Sequence, residues 1–299
     1  MLADDQSSVD IPSFAINRLY SRSKEITGKF GGSAQSGIAP SRRVPAVFIF
    51  TGDTGAEFGY EDTFDVEGCF LYTGEGQAGD MQMTRGNAAI ASHASDGRAL
   101  HLFESQGKGR PCLYKGEFAY AAHFFGRGPD KNKQNRKTII FRLIPVSRLV
   151  QLEQEPNELR IAEAPSTYLA PTLEQLRSRA IDACKRTVEG GAPKEAIRAV
   201  YARAVEVKQY VLARADGKCE LCLVPASFKR KSDGTPYLEP HHINRLSDGG
   251  LDHPDFVGAI CPNCHRHIHF GIDGSERNEQ LRKNVQQAES GFGRSKLAQ

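Results

Sequence analysis

Two Cys-x-x-Cys pairs, Cys219–Cys222 and Cys261–Cys264, separated by 38 residues, constrain this chain more than any other feature. Four thiolates brought to one point match the closed tetrahedral site that zinc prefers. In a chain expected to be intracellular, such pairs favour a metal over disulfides. Buried thiols or two redox pairs are the alternative. Cys69, Cys112 and Cys184 stand alone in apolar or helical surroundings and read as small buried hydrophobes. The first ten residues carry Asp4, Asp5 and Asp10 and no basic segment, which argues against a signal peptide. No apolar run approaches the ~18 residues of a membrane-spanning helix. A cytoplasmic location without a membrane partner is expected.

Six of the nine histidines lie between His241 and His269, which a zinc staple alone does not require. His241 and His242 follow a short strand-like run at 236–239, and residues 264–269 read as the start of a helix. His265 and His269 are four apart, so on a helix they share a face and can grip a single ion. His267 points elsewhere and His253 lies in a Gly/Pro/Asp-rich loop, so both read as surface histidines.

The 299 residues suggest about two domains. Residues 1–23 are polar and expected to be poorly ordered. Strand-like runs at 46–50, 69–73, 100–104, 118–125 and 138–144 then share residues 24–150 with one helical stretch at 83–94. That pattern predicts a small β-barrel or sandwich with a helical attachment. Residues 151–215 read as a polar linker followed by a helical spacer. Thr172 and Gln175 form a capping-box signal for a helix with Leu173, Leu176, Ala180 and Ala183 on one face, which Gly190-Gly191 stops. A second helix from Pro193 is expected to bury Ile197, Val200, Tyr201, Ala204, Val211 and Leu212. Scaffold packing accounts for it, with a dimer seam or rigid spacer as the sharper alternative. Residues 216–275 hold the Cys/His cluster and 276–299 read as a C-terminal tail. The fold class expected is α+β, in several domains.

Net charge of +3 conceals an uneven distribution. Residues 51–80 carry eight acidic side chains and no Lys or Arg, whereas 105–148 carry ten basic ones against Glu117 and Asp130. A basic surface of this kind suits a polyanion.

Cys219-x-x-Cys222, Tyr237-Leu238-Glu239-Pro240-His241-His242-Ile243, Ser247-Asp248-Gly249-Gly250 and Cys261-Pro262-Asn263-Cys264-His265-x-x-x-His269 closely resemble the HNH endonucleases. The likeness is to their zinc-stapled, McrA-like branch. It implies a ββα-metal core that cuts nucleic-acid phosphodiesters, with Cys219, Cys222, Cys261 and Cys264 on structural Zn2+. His241, His265 and His269 would hold a catalytic divalent ion (Mg2+, Mn2+, Ni2+ or Zn2+), and His242 would be the general base. A neutral imidazole can take a proton from water at neutral pH, and a divalent ion with open positions can polarise the phosphate. Glu239 either orients a ligand histidine or is an exposed strand carboxylate. The family's middle Asn is expected five residues before Cys261, where this chain has Phe256.

Gly59-Tyr60-Glu61-Asp62 and Tyr72-Thr73-Gly74-Glu75-Gly76 resemble the SRA (SAD/YDG) domain. Residues 25–28 and 48–52 fit its entry strands, 83–89 and 98–100 its helix and next strand, and Phe141-Arg142-Leu143 its closing region. The resemblance implies an SRA-like β-barrel over 24–150 that flips a modified cytosine out of duplex DNA. Tyr60 and Tyr72 would sandwich the base and Thr73 would make a polar contact. The family's amine-accepting carboxylate falls at Thr63, and Asp62 and Asp65 are both near enough to take its place. The loop from Tyr72 to Asn87 is short and holds only Arg85 as a basic residue, so another segment, such as the basic 126–137 loop, must fill the vacated stack. Together the two resemblances imply a bacterial modification-dependent restriction endonuclease. It would act on double-stranded DNA carrying 5-methylcytosine or 5-hydroxymethylcytosine, as a homodimer. The alternatives are a non-catalytic reader of modified DNA and an HNH nuclease indifferent to modification.

Overall fold

The computed structural model describes residues 11–52, 62–149, 171–185, 190, 192–244 and 253–294. Its first half comprises β1 (Leu19–Tyr20), the helical turn α1 (Thr27–Phe30), β2 (Ile38–Pro40), β3 (Ala46–Thr51), β4 (Thr63–Phe64) and β5 (Phe70–Thr73). Helix α2 (Arg85–Ser92), β6 (Ala99–Ser105), β7 (Cys112–Pro129) and β8 (Asn135–Pro145) complete it. Helices α3 (Leu173–Lys185) and α4 (Pro193–Ala215) follow. Then come β9 (Glu239–His242), β10 (Val257–Ile260), α5 (Pro262–Phe270) and α6 (Gly274–Arg294). No helix among the described residues is long and apolar enough to cross a membrane.

β3 is apolar at successive positions because both faces of the sheet are covered. Val47 and Ile49 face a core with Leu100, Leu102, Phe118, Phe141 and Ile90 of α2. Phe48 and Phe50, one residue out of phase, face a second core with Tyr20, Phe30, Phe103 and Tyr114. The two-residue strand period separates the two sets.

Strand order is β2-β3-β6-β7-β8-β5-β4, with β1 paired to β7. Among the described residues this path stays open, which corrects the expected barrel. The β3 and β5 ends of the sheet are joined by side chains instead of a ladder. The Tyr72 hydroxyl donates to the Phe50 carbonyl at 3.4 Å, and Asp62 accepts from Thr51 Oγ1 at 2.6 Å and from Thr73 N at 2.8 Å. A cleft lies where a closing ladder would have run.

Residues 11–23 are not poorly ordered, contrary to the sequence reading; residues 1–10 lie outside the described set. Leu19 and Tyr20 pair with Leu113 and Cys112. The Phe14 ring packs edge-on to Tyr20 and Phe103 at centroid distances of 5.1 and 5.0 Å. The segment is held by a few rings, and Phe103 among their partners is distant in sequence.

β7 is longer than its apolar stretch predicts, because polar Lys115 and Glu117 alternate with buried Tyr114, Gly116 and Phe118. A register shift between Tyr120 and Ala122 makes a bulge. Buried backbone groups there need partners. His93 Nε2 accepts from Tyr120 N at 3.0 Å, and the Arg203 guanidinium donates to the Tyr120 and Ala121 carbonyls at 3.5 Å.

The helical region is more than a spacer. Thr172 and Gln175 do form the reciprocal cap, with Thr172 N to Gln175 Oε1 at 2.9 Å and Gln175 N to Thr172 Oγ1 at 3.2 Å. The polar linker expected at 151–165 and part of the Gly190-Gly191 stop lie outside the described residues. α4 belongs to two cores at once. Ala196, Ile197 and Val200 pack on Ala119, Ala121 and Ile144 of the sheet, and Val207, Tyr210 and Val211 pack on Ala180 and Val257. Of the expected stripe, Tyr201, Ala204 and Leu212 are only half-buried, because Val207 and Tyr210 carry the inward face at that end.

As far as Arg294, the expected tail is also helix. Leu281 and Val285 of α6 are fully buried against Leu238, Ile243 and Ile260. Beside them lies a buried charge cluster. Arg214 of α4 donates to both Glu220 oxygens at 2.8 and 2.9 Å and to Glu289 Oε1 of α6 at 2.8 Å. It also donates to the Pro254 and Val257 carbonyls, while Tyr210 and Arg177 of α3 complete the Glu289 shell.

Candidate functional site

The first Cys pair is shaped by the chain leaving α4. Asp216 (φ 46°) takes the left-handed conformation at the helix end, and Leu223 (φ 62°) takes it again after Cys222. Between them Leu223 N donates to the Cys219 carbonyl and Cys219 N to the Val224 carbonyl. The second pair sits where β10 becomes α5: Cys261 is the N-cap and Pro262 opens the first turn. Pro there costs no hydrogen bond, since that N–H has no helical acceptor. The four sulfurs lie within 4.8 Å of one another. Zinc with about 2.3 Å bonds requires sulfurs in this range. Burial, and then the neighbouring thiols, push the Cys264 thiol up, so this crowd of sulfurs suits a cation that takes them all as thiolates. Cys69 and Cys112 are buried apart from the cluster, and burial pushes the Cys69 thiol up to about 11.

The same hairpin and helix assemble a histidine triad. The rings of His241, His265 and His269 lie at centroid separations of 5.1, 5.1 and 5.0 Å. One nitrogen from each lies within 4.8 Å of the others, a spacing suited to a single divalent ion. His241 is buried on β9, whereas His265 and His269 are half-buried, so the group has a closed and an open side. Glu239 is not a free surface carboxylate: it sits 2.6 Å from His265 Nδ1 and accepts from the Tyr237 hydroxyl at 3.0 Å. His242, next along β9, lies outside this three-ring group and is 8% exposed. His267 pairs with Asp273, and His253 caps the turn at Pro254–Phe256.

Phe256, standing where the family pattern has Asn, has a packing role. Its ring lies so close to Gly97 that a Cβ there would come within 2.4 Å. Gly97, at φ +61°, closes the turn after α2. Asn244 reinforces this junction between the two halves, with Nδ2 donating to the Gly97 carbonyl at 2.8 Å and Oδ1 accepting from Arg282 at 2.7 Å. Sequence reasoning missed Asn278. This α6 residue faces His241 Nε2 through Oδ1 at 3.1 Å and donates from Nδ2 to the Ile243 carbonyl at 2.7 Å. No motif spacing signals it, since 37 residues separate the partners.

The cleft at the open end of the sheet encloses about 1190 Å³, and its lining includes Arg22, Asp62, Tyr72, Thr73, Met81 and Asn87. Three sequence candidates, Asp62, Tyr72 and Thr73, therefore come together. Thr63 is exposed on β4 outside this lining. Asp65 is committed to the β4–β5 turn, accepting from Glu67 N, Cys69 N and Arg142 Nε. Tyr60 lies outside the described residues. Burial raises the Asp62 carboxyl above its ordinary value, against the opposing hydrogen bonds from Thr51 and Thr73. Arg22 had carried no sequence signal, and Asn87 had been read only as part of the helix motif at 83–89. Arg22 stacks on Phe50 at 3.7 Å. Asn87 clasps the loop by accepting from Glu75 N and donating to the Glu75 and Gln82 carbonyls.

The basic stretch is only partly a surface. Arg136 is buried against the Gly76 carbonyl and Arg142 against Asp65. Lys108, Arg110, Arg127, Lys131, Lys133 and Lys137 are exposed, with Lys137 3.4 Å above the Phe125 ring centroid.

Residues 17–162 match the family described as ScoMcrA-like, SRA domain. The chain is 43% identical over 91 residues to the type IV methyl-directed restriction enzyme EcoKMcrA of Escherichia coli (strain K12), covering 30% of this chain and 32% of that enzyme. Among solved structures it is similar to the type IV phosphorothioation-dependent restriction endonuclease ScoMcrA, at 23% identity and a TM-score of 0.39 over 93% of this chain and 61% of that one. It is also similar to the modification-dependent TagI restriction endonuclease, at 17% identity and a TM-score of 0.33 over 90% and 82%. The chain thus spans about a third of the length of its curated relative.

Proposed function

Starting from the match of residues 17–162 to the ScoMcrA-like SRA domain family, we propose that the chain is a modification-dependent DNA endonuclease. It flips 5-methylcytosine or 5-hydroxymethylcytosine into the cleft beside Tyr72 and hydrolyses a phosphodiester nearby at an HNH site. The observation that carries this reading is the triad of His241, His265 and His269, open on one side and next in sequence to His242. A zinc-stapled knuckle alone has no use for it.

A divalent ion, when bound by these three imidazoles, would polarise the scissile phosphate and stabilise negative charge on the departing 3′ oxygen. His242 takes a proton from a water molecule, whose oxygen attacks phosphorus as the bond to the 3′ oxygen breaks. Glu239 holds the His265 ring in place through Nδ1. The exposed Lys and Arg of 108–137 supply phosphate contacts without sequence preference, so binding weakens steeply with salt. Because each chain offers one such triad, double-strand breaks call for two chains.

Incubating methylated and unmethylated supercoiled plasmid with the full chain and Mg2+, Mn2+ or Ni2+ tests the proposal. Cutting of the methylated plasmid alone is expected, with linear product if two chains cooperate. No nicking with any ion would leave a reader without nuclease activity, and equal cutting of both plasmids would leave a nuclease indifferent to modification. Tyr72→Ala is expected to reduce the preference for methylated over unmethylated duplex by roughly 10-fold or more, since stacking contributes about 1–3 kcal/mol per base. Binding to unmodified duplex should change little. A preference preserved in Tyr72→Ala in competition binding would place the base elsewhere.

A further inference from the structure

We propose that Asn278 is a positioning residue for the metal site and makes Nδ1 the ligand atom of His241. This rests on reading His241, His265 and His269 as a metal site. A neutral imidazole carries one N–H and one lone pair, and the partner of one nitrogen decides which is which. The Asn278 amide is oriented from its other end, because Nδ2 donates to the Ile243 carbonyl at 2.7 Å. Its oxygen therefore faces His241 Nε2, at 3.1 Å. An amide oxygen only accepts, so the proton sits on Nε2 and the lone pair on Nδ1.

His265 is set the opposite way. Its Nδ1 faces Glu239 Oε2 at 2.6 Å, which puts the proton on Nδ1 and the lone pair on Nε2. The strand ligand and the helix ligand thus present different nitrogens, each chosen by a partner outside the triad. Asn278 is itself 6% exposed, and the burial of Leu281 and Val285 on α6 holds it in place. α6 therefore belongs to the nuclease site.

The test titrates Mn2+ into the zinc-loaded full chain, following free Mn2+ by electron paramagnetic resonance, with no DNA present. Losing an outer partner of a ligand histidine lowers metal affinity by about 10–100-fold, and Asn278→Ala is expected to show this. Asn278→Asp separates positioning from scaffolding, because it keeps an acceptor for His241 but cannot donate to Ile243. Affinity within about 3-fold of the parent is expected for it. If Asn278→Asp weakens binding as much as Asn278→Ala does, or if Asn278→Ala leaves binding unchanged, the inference is wrong. Long-range 1H–15N spectra of the histidine-labelled, Mn2+-free parent give a second readout that needs no variant to fold. They should show His241 with its proton on Nε2, and the Nδ1–H tautomer would overturn the assignment. No Mn2+ binding by the parent would instead remove the metal-site reading itself.

Discussion

His242→Ala is expected to slow cleavage of methylated DNA by about 10²–10⁴-fold, the usual contribution of a positioned general base. The loss should fall on the chemical step. His242 belongs to neither the three-ring cluster nor the four sulfurs, so its removal leaves both in place. Binding of methylated duplex and uptake of Mn2+ should therefore match the parent, while single-turnover cleavage collapses. His269→Ala provides the contrast, since it removes a ligand and should lower Mn2+ affinity and cleavage together. Cleavage by His242→Ala within about 10-fold of the parent would mean that another group takes the proton from water.

The second large effect concerns stability. Arg214→Ala is expected to destabilise the fold by about 3–5 kcal/mol, because it strands Glu220 as a buried carboxylate without its cation and leaves Glu289 with Arg177 alone. The Arg214 side chain is 3% exposed and those of its two carboxylate partners are 10% and 6% exposed, so water cannot readily replace it. Burial alone would lower the Arg214 guanidinium, but the hydrogen bonds and charges of Glu220 and Glu289 outweigh that and raise it. The cluster joins α4, the first Cys knuckle, the turn before β10 and α6 at one point. Thermal unfolding of the zinc-loaded protein should shift down by roughly 10 °C. Arg214→Lys should recover part of this, since an ammonium keeps the charge but lacks the planar fork that serves both carboxylates and two carbonyls. A shift of under about 2 °C for Arg214→Ala would show that the cluster contributes little to stability.

Much of the candidate site was legible because its ligands obey short-range rules. Each Cys-x-x-Cys turn and the His-x-x-x-His helix face are set by local geometry, and the structure brings the two turns to one point and adds His241 to the two helix histidines. Partners reached across the fold were not legible. Asn278 sits in a stretch that composition marks as tail, yet its amide meets His241. Asp62 and Asp65 looked equivalent until the β4–β5 turn claimed Asp65 and the cleft took Asp62. Phe256, where the HNH resemblance expects Asn, packs on Gly97 in the other half of the molecule. Arg136 and Arg142 look like surface charge in a basic run and are instead internal ties.

The order of residues along the chain sets the chemistry on offer: two close-spaced pairs of sulfurs, two imidazoles on one helix face and a third on a strand. It also sets the unbroken apolar run that lets β3 be buried on both sides. Long-range packing settles the rest: that the sheet stays open over a cleft among the described residues, that α4 serves two cores, and which nitrogen of His241 meets Asn278. The difference is one of range. Ligand type and periodicity are properties of a few consecutive residues, whereas the partner of a buried polar atom depends on which distant segment the packing brings within about 3 Å of it.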